Sequence, residues 1–218
     1  VVVNSASFRQ NQPPAAGSIA AAFGTFTGVT ATSATATPLP KTLGGVRVLV
    51  NSIECPLFYV SASQINFQLP GALAAGTYPV RVVFEGGEQT GVVAIISAAP
   101  GVFIVFNSGD PPRGAALNQN GTTVNSDASP EVRGRLISLF ATGPGALSQA
   151  VPDGEAAPLT PLIRTASEPA VYIAGALAQV EFSGLTPTAV GLWQINVRIP
   201  DLPFIRGRVP VQVFLDKV

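Results

Sequence analysis

The sequence has 218 residues, and its twelve Lys and Arg balance twelve Asp and Glu. That balance, with charged residues at only 11%, argues against nucleic-acid binding and against a polybasic membrane-surface protein, because both need concentrated positive charge. The chain has no histidine and one cysteine, which excludes histidine-dependent triads, HExxH zinc sites, internal disulfides and cysteine-based metal sites.

Apolar and polar residues alternate along several short segments of the chain. The clearest cases are residues 46–51, 80–85 and 209–216, in which valine is the commonest residue on the apolar face. A period of two with one apolar face is typical of antiparallel strands in a sandwich. The 22 Gly and 20 Pro interrupt nearly every long segment, so the sequence predicts no helix.

Two uncharged segments need separate interpretation. The stretch from Thr25 to Thr37 is rich in Thr, Ser and Ala, and both an edge strand and a flexible or glycosylated loop fit it. No charge occurs between Glu88 and Asp110, a window long enough to span a membrane. Pro100-Gly101 divides that window and β-branched residues fill it, so we predict two buried strands joined by a turn and no membrane insertion.

An internal repeat organises the chain. Residues 17–24 are echoed by residues 134–141, and QINFQLP at 64–70 is echoed by QINVRIP at 194–200. Each copy continues with a Gly, a Pro and an alternating strand. Two copies in the same order indicate a duplicated domain rather than a solenoid, which needs at least three repeats.

The repeat sets the predicted domains. About seven short strands in roughly 100 residues, punctuated by turn signals, are typical of an immunoglobulin-like sandwich. We predict an all-β chain of two tandem immunoglobulin-like β-sandwich domains, with repeat 1 at residues 1–107 and repeat 2 at residues 114–218. The Pro- and Gly-rich residues 108–113 form the predicted linker.

The repeated Gln-Ile-Asn segments supply the candidate site. Strand alternation places Gln64 and Asn66 on one face of their strand, and likewise Gln194 and Asn196. Such amides could bind a sugar or a peptide, or they could satisfy backbone groups at a sheet edge or bulge. Because both copies have the same residues, we predict matching structural roles, with both asparagines bonded to backbone groups of an adjacent loop or strand.

Three other features favour structural roles. Trp193, the only tryptophan, alternates with apolar residues and is predicted to lie in the core rather than to stack on a sugar. Cys55 has no histidine base and is predicted to be a buried or half-buried thiol. The loop from Asn118 to Gly121, with Asp127 further on, is loosely similar to a calcium loop. Its first ligand position is Ala116, however, and Asn-Gly is a hairpin-turn signal.

Twelve carboxylates remain as candidates for catalysis without histidine. A two-carboxylate glycosidase needs no histidine, yet nothing in the sequence places a pair across a cleft. Most of the twelve lie beside Gly or Pro in predicted loops, where solvated charge is the default. We therefore predict no catalytic residue, no metal site and no cofactor.

Seven motifs occur in order along nearly the whole chain. They are PLP at 38–40, LGGV at 43–46, PLFYVS at 56–61, QINFQLP at 64–70, AAPGVF at 98–103, ALNQNG at 116–121 and GLWQINV at 191–197. Together they resemble the C-terminal domain repeated across large secreted proteins of Solibacter-type acidobacteria. The resemblance implies an exported β-rich domain appended to a longer protein, and it implies no established biochemical activity.

The absence of methionine indicates an excised domain or a processed chain. The leading interpretation is a non-catalytic extracellular structural or interaction module at the end of a larger secreted or cell-surface protein. The alternatives are a carbohydrate-binding accessory module and, third, a histidine-independent glycoside hydrolase. The predicted partner is a protein or a polysaccharide at the cell surface, and the sequence leaves that choice open.

Overall fold

The computed structural model describes residues 1–203 and 206–215. These residues form sixteen β-strands and no helix, which confirms the predicted all-β class. The strands make several antiparallel sheets, an arrangement consistent with a β-sandwich. Within the described ranges there is no helix of the length and hydropathy that crossing a membrane would require.

Nine strands lie in the first half of the chain. They are β1 (Val2–Asn4), β2 (Ile19–Phe23), β3 (Thr32–Ser33), β4 (Arg47–Val50), β5 (Ile53–Glu54), β6 (Leu57–Val60), β7 (Gln64–Gln68), β8 (Gly76–Phe84) and β9 (Gly87–Ile95). They form a five-stranded sheet in the order β1-β2-β7-β6-β3 and a four-stranded sheet in the order β5-β4-β8-β9.

Both of these sheets contribute to one apolar core. β7 supplies Ile65 and Phe67, and β8 supplies Val80 and Val82, each at most 5% exposed. Alternation along each strand turns every second side chain inward. Burying a side chain of this size stabilises the fold by about 1.5–3 kcal/mol relative to leaving it exposed.

The other seven strands lie in residues 101–214, which we call the second half of the chain. They are β10 (Gly101–Val102), β11 (Ala116–Asn118), β12 (Leu136–Thr142), β13 (Ala170–Ile173), β14 (Ala176–Leu185), β15 (Trp193–Arg198) and β16 (Val211–Phe214). Their order is β10-β12-β15-β14-β13-β16, with β11 also paired to β12. β14 pairs with β13 through residues 176–178 and with β15 through residues 179–185.

A second apolar core lies in this half. Trp193, Ile195 and Val197 of β15 are all 0% exposed within it, so the prediction that Trp193 belongs to the core is confirmed. The Trp193 Nε1–H donates to Ser183 Oγ at 2.9 Å. The one polar atom of the indole is therefore satisfied inside the core.

Both halves contain the same kind of two-residue hairpin turn. Asn51 and Ser52 join β4 to β5 with φ angles of 50° and 65°, and Ala174 and Gly175 join β13 to β14 with φ angles of 52° and 80°. Positive φ at both central positions is the mark of a type I′ turn, whose twist matches that of the flanking strands.

The predicted linker at residues 108–113 is not where the chain passes from the first sheets to the last one. Gly101 and Val102, assigned by sequence to repeat 1, already pair with β12. Beyond them the chain folds back, with the Val105 N–H donating to the Arg113 carbonyl at 2.8 Å. Residues 108–113 lie at the tip of this fold-back. The sequence indicated a linker there because Pro and Gly are common in linkers, but they are equally common in turns. The division into two domains stays a prediction.

The actual connection between the halves is short and buried. Ala98 and Ala99 are 4% and 0% exposed. The Ala99 N–H donates to the Gly143 carbonyl at 3.0 Å, and Asn4 Nδ2 donates to the Ala99 carbonyl at 2.8 Å. A Cβ at Gly143 would lie 2.1 Å from that same Ala99 oxygen, so only glycine fits there.

The stretch from Thr25 to Thr37, which the sequence left open, is mostly loop. Only Thr32 and Ser33 form a strand, and they pair with Val60 and Tyr59 of β6 at the edge of the sheet.

Candidate interaction surface

The predicted amides are brought together in pairs, in the same way in both halves. Gln64 Nε2 donates to Asn66 Oδ1 at 2.8 Å, and Gln194 Nε2 donates to Asn196 Oδ1 at 2.9 Å. Each pair sits on one strand, where residues two apart point to the same side. Within the described residues, each asparagine side chain is thus bonded to its neighbouring glutamine rather than to a backbone group. β7 and β15 belong to different sheets, and among the described residues no hydrogen bond joins one amide pair to the other.

Gln68 fills the backbone-satisfying role that was predicted for the asparagines. Its side chain is buried, its Oε1 accepts the Gly154 N–H at 2.7 Å, and its Nε2 donates to the Gly17 carbonyl at 3.3 Å. Gly154 belongs to the second half of the chain, so this amide helps to join the halves. The sequence showed Gln68 in the same alternation as Gln64, but not that another part of the chain would cover it.

Trp193 and Cys55 offer no reactive or stacking surface. Trp193 is fully buried, so neither ring face is open to a sugar. Cys55 is also fully buried, which confirms the predicted buried thiol. Burial raises the pKa of the Cys55 thiol to about 12. The thiol is therefore protonated at neutral pH and is a poor nucleophile.

The loop that is loosely similar to a calcium loop is held by its own hydrogen bonds. Asn120 Oδ1 accepts the backbone N–H groups of Thr122 and Thr123 at 3.2 and 3.0 Å. Asp127 makes a two-bond ion pair with Arg208, at 2.9 and 2.5 Å, which holds the pKa of the Asp127 carboxyl below its usual range. Among the described residues there is no cluster of three or more metal-ligating side chains.

Five of the carboxylates form exposed ion pairs with arginine. These pairs are Arg47–Glu54, Arg81–Glu88, Arg133–Asp201, Arg198–Glu181 and Arg208–Asp127. Asp153 instead accepts the backbone N–H of Gly71 at 3.0 Å, and burial raises the pKa of the Asp153 carboxyl. Asp216 lies outside the described residues. These contacts give six of the twelve carboxylates structural partners.

The outer side of β13, β14 and β16 presents apolar side chains to solvent. Its members are Tyr172, Leu177, Gln212 and Phe214, which we call the β13–β16 face. Leu177 is 63% exposed and Phe214 43%, whereas Val171 and Ile173, in the opposite phase of β13, are 0% and 5% exposed. The face is therefore an apolar surface in a position where a sheet usually presents polar residues.

The corresponding side of the first half has the opposite character. The outer side of β4, β5, β8 and β9, which we call the β4–β9 face, carries two cross-strand ion pairs. Arg47 lies 3.3 Å from Glu54, and Arg81 lies 3.6 Å from Glu88. Charged pairs of this kind suit a surface that stays in water.

The two aromatic rings of the β13–β16 face do not form a flat platform. The centroids of Tyr172 and Phe214 are 5.9 Å apart, and the ring planes meet at 81°. An edge-to-face pair of this kind is a favourable aromatic contact. Sugar stacking needs ring faces that lie open side by side, and this geometry does not supply them.

The sequence contained one sign of this surface. In the alternation at residues 209–216, Phe214 falls in the phase opposite to the valines, between two polar residues. An aromatic side chain in the outward phase of a strand is a candidate contact residue. Leu177 gave no such sign, because the sequence did not reveal where β14 begins.

No protein-family model matches this sequence, and no curated protein matches it as a relative.

Proposed function

We propose that the chain is a non-catalytic extracellular interaction module built from two tandem immunoglobulin-like sandwiches. The strand order of the first half supports this architecture. In a constant-type immunoglobulin domain, strands A, B, E and D form one sheet and strands C, F and G form the other. When the two-residue strands β3 and β5 are left out and the others are lettered along the chain, the sheets β1-β2-β7-β6 and β4-β8-β9 follow that order.

Three correspondences support an internal duplication. β2 pairs with β7 as β12 pairs with β15, and both pairings include the repeated Gln-Ile-Asn residues. The Gln–Asn side-chain bond recurs at the same place in each. The type I′ hairpin recurs as well, between β4 and β5 and between β13 and β14.

The observation that carries the interaction function is the exposed apolar character of the β13–β16 face. An apolar patch with aromatic members on a sheet surface is the kind of surface that proteins use to bind other proteins. The ion-paired β4–β9 face offers a comparison within the same chain. A protein partner fits the β13–β16 face better than a polysaccharide does. The rings of Tyr172 and Phe214 pack edge to face, so they do not offer the open ring faces on which a sugar would stack.

The extracellular setting rests on the resemblance to the secreted Solibacter-type domains. The absence of a catalytic role is consistent with the lack of histidine, the protonated Cys55 thiol and the pairing of five of the twelve carboxylates with arginine. No observation favours a glycoside hydrolase.

The test compares two charge substitutions at equally exposed apolar residues. Leu177→Glu places a charge in the β13–β16 face, and Val92→Glu is the matched control because Val92 is 69% exposed on β9 in the first half. Each protein is immobilised and incubated with the secreted and cell-surface fraction of the source organism. Bound proteins are quantified by mass spectrometry, and bound sugars are quantified after hydrolysis.

We expect a protein that wild type and Val92→Glu retain equally and that Leu177→Glu retains roughly tenfold less, as for a contact residue at an interface centre. Equal retention by all three chains would overturn the proposal. Retention of polysaccharide instead of protein would favour the carbohydrate-binding alternative.

A further inference from the structure

The Gln–Asn pair of the first half lies between two aromatic side chains of neighbouring strands. Phe23 of β2 lies opposite Gln64 of β7. Tyr59 of β6 lies opposite Asn66 of β7. Directly opposite residues of an antiparallel pair point to the same side of the sheet. The two rings and the two amides therefore share the side of this sheet that faces away from the core, which we call the Tyr59 face.

The second half repeats this arrangement. Phe140 of β12 lies opposite Gln194 of β15, and Phe182 of β14 lies opposite Asn196. In both halves the strand register shifts by one residue directly before the residue that carries the second ring. Tyr59 and Phe182 are therefore counterparts, and β6 corresponds to the second part of β14.

In the second half an arginine covers the second ring. The guanidinium carbon of Arg164 lies 5.0 Å from the centroid of the Phe182 ring, and Phe182 is 8% exposed. A guanidinium over the face of an aromatic ring is attracted to it electrostatically. Arg164 forms no ion pair with a carboxylate of the described residues. Its guanidinium is therefore held by the charge complementarity between cation and ring.

Arg164 belongs to a short segment that extends the second sheet beside β14. The Thr165 N–H donates to the Ser183 carbonyl at 3.0 Å. Arg164, one residue earlier, lies opposite Gly184, the second residue after Phe182. Residues two apart on a strand point to the same side, so the Arg164 side chain reaches the ring from the neighbouring position on the same side of the sheet.

β3 takes the place of this segment in the first half. Thr32 lies opposite Val60, the residue directly after Tyr59, and so corresponds to the threonine that follows Arg164. Ala31 then corresponds to Arg164. Ala31 is exposed, and its methyl group carries no charge and cannot extend over the Tyr59 ring as a guanidinium does. The first half thus has the ring and the amides without the arginine.

The Tyr59 face is open to a partner. Phe23 is 36% exposed, and Tyr59 and the two amides are half-buried. Among the described residues, Tyr59 takes part in no aromatic pair and no cation–π contact, and Gln64 Oε1 accepts no hydrogen bond. The difference between the two halves at this ring arises inside the chain, from Ala31 in place of Arg164, and not at either end of the sequence.

We infer that the Tyr59 face binds an arginine side chain of a partner protein. The guanidinium lies over the Tyr59 ring, as that of Arg164 lies over Phe182, and donates to Gln64 Oε1. A protein arginine is favoured over a free guanidino compound because the second half receives its arginine from a polypeptide segment and because the face is an open sheet surface. This contact goes beyond the proposed function, which concerns the β13–β16 face.

The first test gives the first half the arginine that the second half already has. In the Ala31→Arg chain, the δ-methylene protons of the introduced side chain should be shifted upfield by the Tyr59 ring in NMR spectra. Adding Tyr59→Leu should remove this shift while keeping an apolar side chain in place. Solvent-like δ-methylene shifts in the Ala31→Arg chain would overturn the inference, because the ring would then reject a guanidinium placed beside it.

The second test uses a free probe, N-acetyl-arginine N-methylamide, titrated against the full chain at constant ionic strength. A single exposed contact is weak, so the titration extends to roughly 100 mM. The citrulline analogue is the control, because it has nearly the same shape and no charge. The Tyr59 ring resonances should shift saturably, and the citrulline analogue should bind roughly two- to fivefold more weakly. Equal binding of the two probes, or equal shifts of all three tyrosines, would overturn the inference.

The duplication also predicts the number of sites in each variant. Wild type should have one site, and Arg164→Ala should have two, because that change uncovers Phe182. Ala31→Arg should have none, because the introduced guanidinium occupies the Tyr59 ring. Ala31→Gln is the matched control and should bind the probe as wild type does, since its side chain is long but uncharged. The side-chain amide resonances of the two Gln–Asn pairs report each site separately, and the same count in all four chains would overturn the inference.

Other ligands and the proposed function define the remaining outcomes. Tighter binding of free arginine than of the blocked probe would indicate a small-molecule site, and tighter binding of maltohexaose, an uncharged oligosaccharide, would indicate a sugar site. Either result would overturn the inference. Leu177→Glu should bind the arginine probe as wild type does, because Leu177 lies on the β13–β16 face. If the probe does not bind while Leu177→Glu still abolishes capture of a protein, the arginine site is wrong and the proposed function stands.

Discussion

The two halves of the chain use the same hairpin but surround the next strand differently. β8 is bonded on both sides, by β4 and β9, and its inward-facing Val80 and Val82 are each 5% exposed. β16 is bonded to β13, and Val211 remains 39% exposed although it lies in the same phase. The comparison teaches that an inward phase is not enough to bury a valine. The neighbouring strand must also be present.

The largest expected effect on stability comes from replacing Trp193, a core residue that has no aromatic counterpart in the first half. Trp193 precedes the repeated Gln-Ile-Asn in β15, and Ser63 stands at the corresponding place in the first half. Trp193→Ala should lower the free energy of unfolding by about 3–5 kcal/mol, because the cavity would be large. Ser63→Ala is the control and should leave stability within about 0.5 kcal/mol of wild type. Denaturant unfolding measures both, and a loss similar in the two variants would show that Trp193 is not a packing centre.

The next effect concerns the contact between the halves. Gln68→Ala removes the acceptor of the buried Gly154 N–H and should cost about 1–3 kcal/mol in unfolding free energy. Its counterpart in the repeat is Arg198, which makes an exposed ion pair with Glu181 at 2.8 Å. Arg198→Ala should therefore cost only about 0–1 kcal/mol. Equal midpoints for the two variants would count against a joining role for Gln68.

A smaller effect is expected at the repeated asparagines. Each accepts one hydrogen bond from a glutamine side chain that is itself half-buried. Asn66→Ala and Asn196→Ala should each cost about 0.5–1.5 kcal/mol, the net value of one hydrogen bond. The two losses should agree, since the geometry is the same. If both variants keep wild-type stability and an interaction with cell-surface material disappears, the amides are a binding site.

The smallest expected effect is a pH dependence of stability that arises from the Asp153 carboxyl, which accepts the Gly71 N–H. Burial raises the pKa of this carboxyl above its ordinary value of 3.8, so the folded state binds its proton more tightly than the unfolded state does. The contribution of this group to stability should therefore decline as pH rises from 3.8 through the folded-state pKa.

Asp153→Asn should remove that decline while keeping an oxygen for the Gly71 N–H. Unfolding midpoints measured across the acidic range for both proteins check this. Parallel curves for the two proteins would show that Asp153 does not titrate differently on folding. The opposite behaviour is expected of Asp127, whose pKa is lowered by its bond to Arg208.

Local pattern was sufficient for the parts of the structure that depend on one strand at a time. Alternation placed Trp193 in a core and Phe214 in the outward phase, and the Gly and Pro content excluded helices. The pattern was insufficient where a distant segment decides the outcome. Gly101 and Val102 pair with β12, some 40 residues later in the chain, and no local feature of the two residues reveals that partner.

The same limit explains why the sequence did not predict the glutamine partners of the two asparagines or the apolar β13–β16 face. From the sequence, the Asn66 side chain could bond either to Gln64, two residues away on the same face, or to a backbone group of a nearby loop. Side-chain alternation alone did not decide between these two partners. The apolar β13–β16 face needed Tyr172, Leu177 and Phe214 to be placed on three adjacent strands. Strand order of this kind is a property of the whole fold, and single-strand periodicity does not contain it.

The bonding of Ala99 has a mechanical consequence. Its N–H is held by Gly143 and its carbonyl by Asn4, so neither half can rotate about this residue without breaking a buried hydrogen bond. We therefore expect the segment around Ala99 to resist bending between the two halves, because bending there would expose backbone groups that are now bonded and buried.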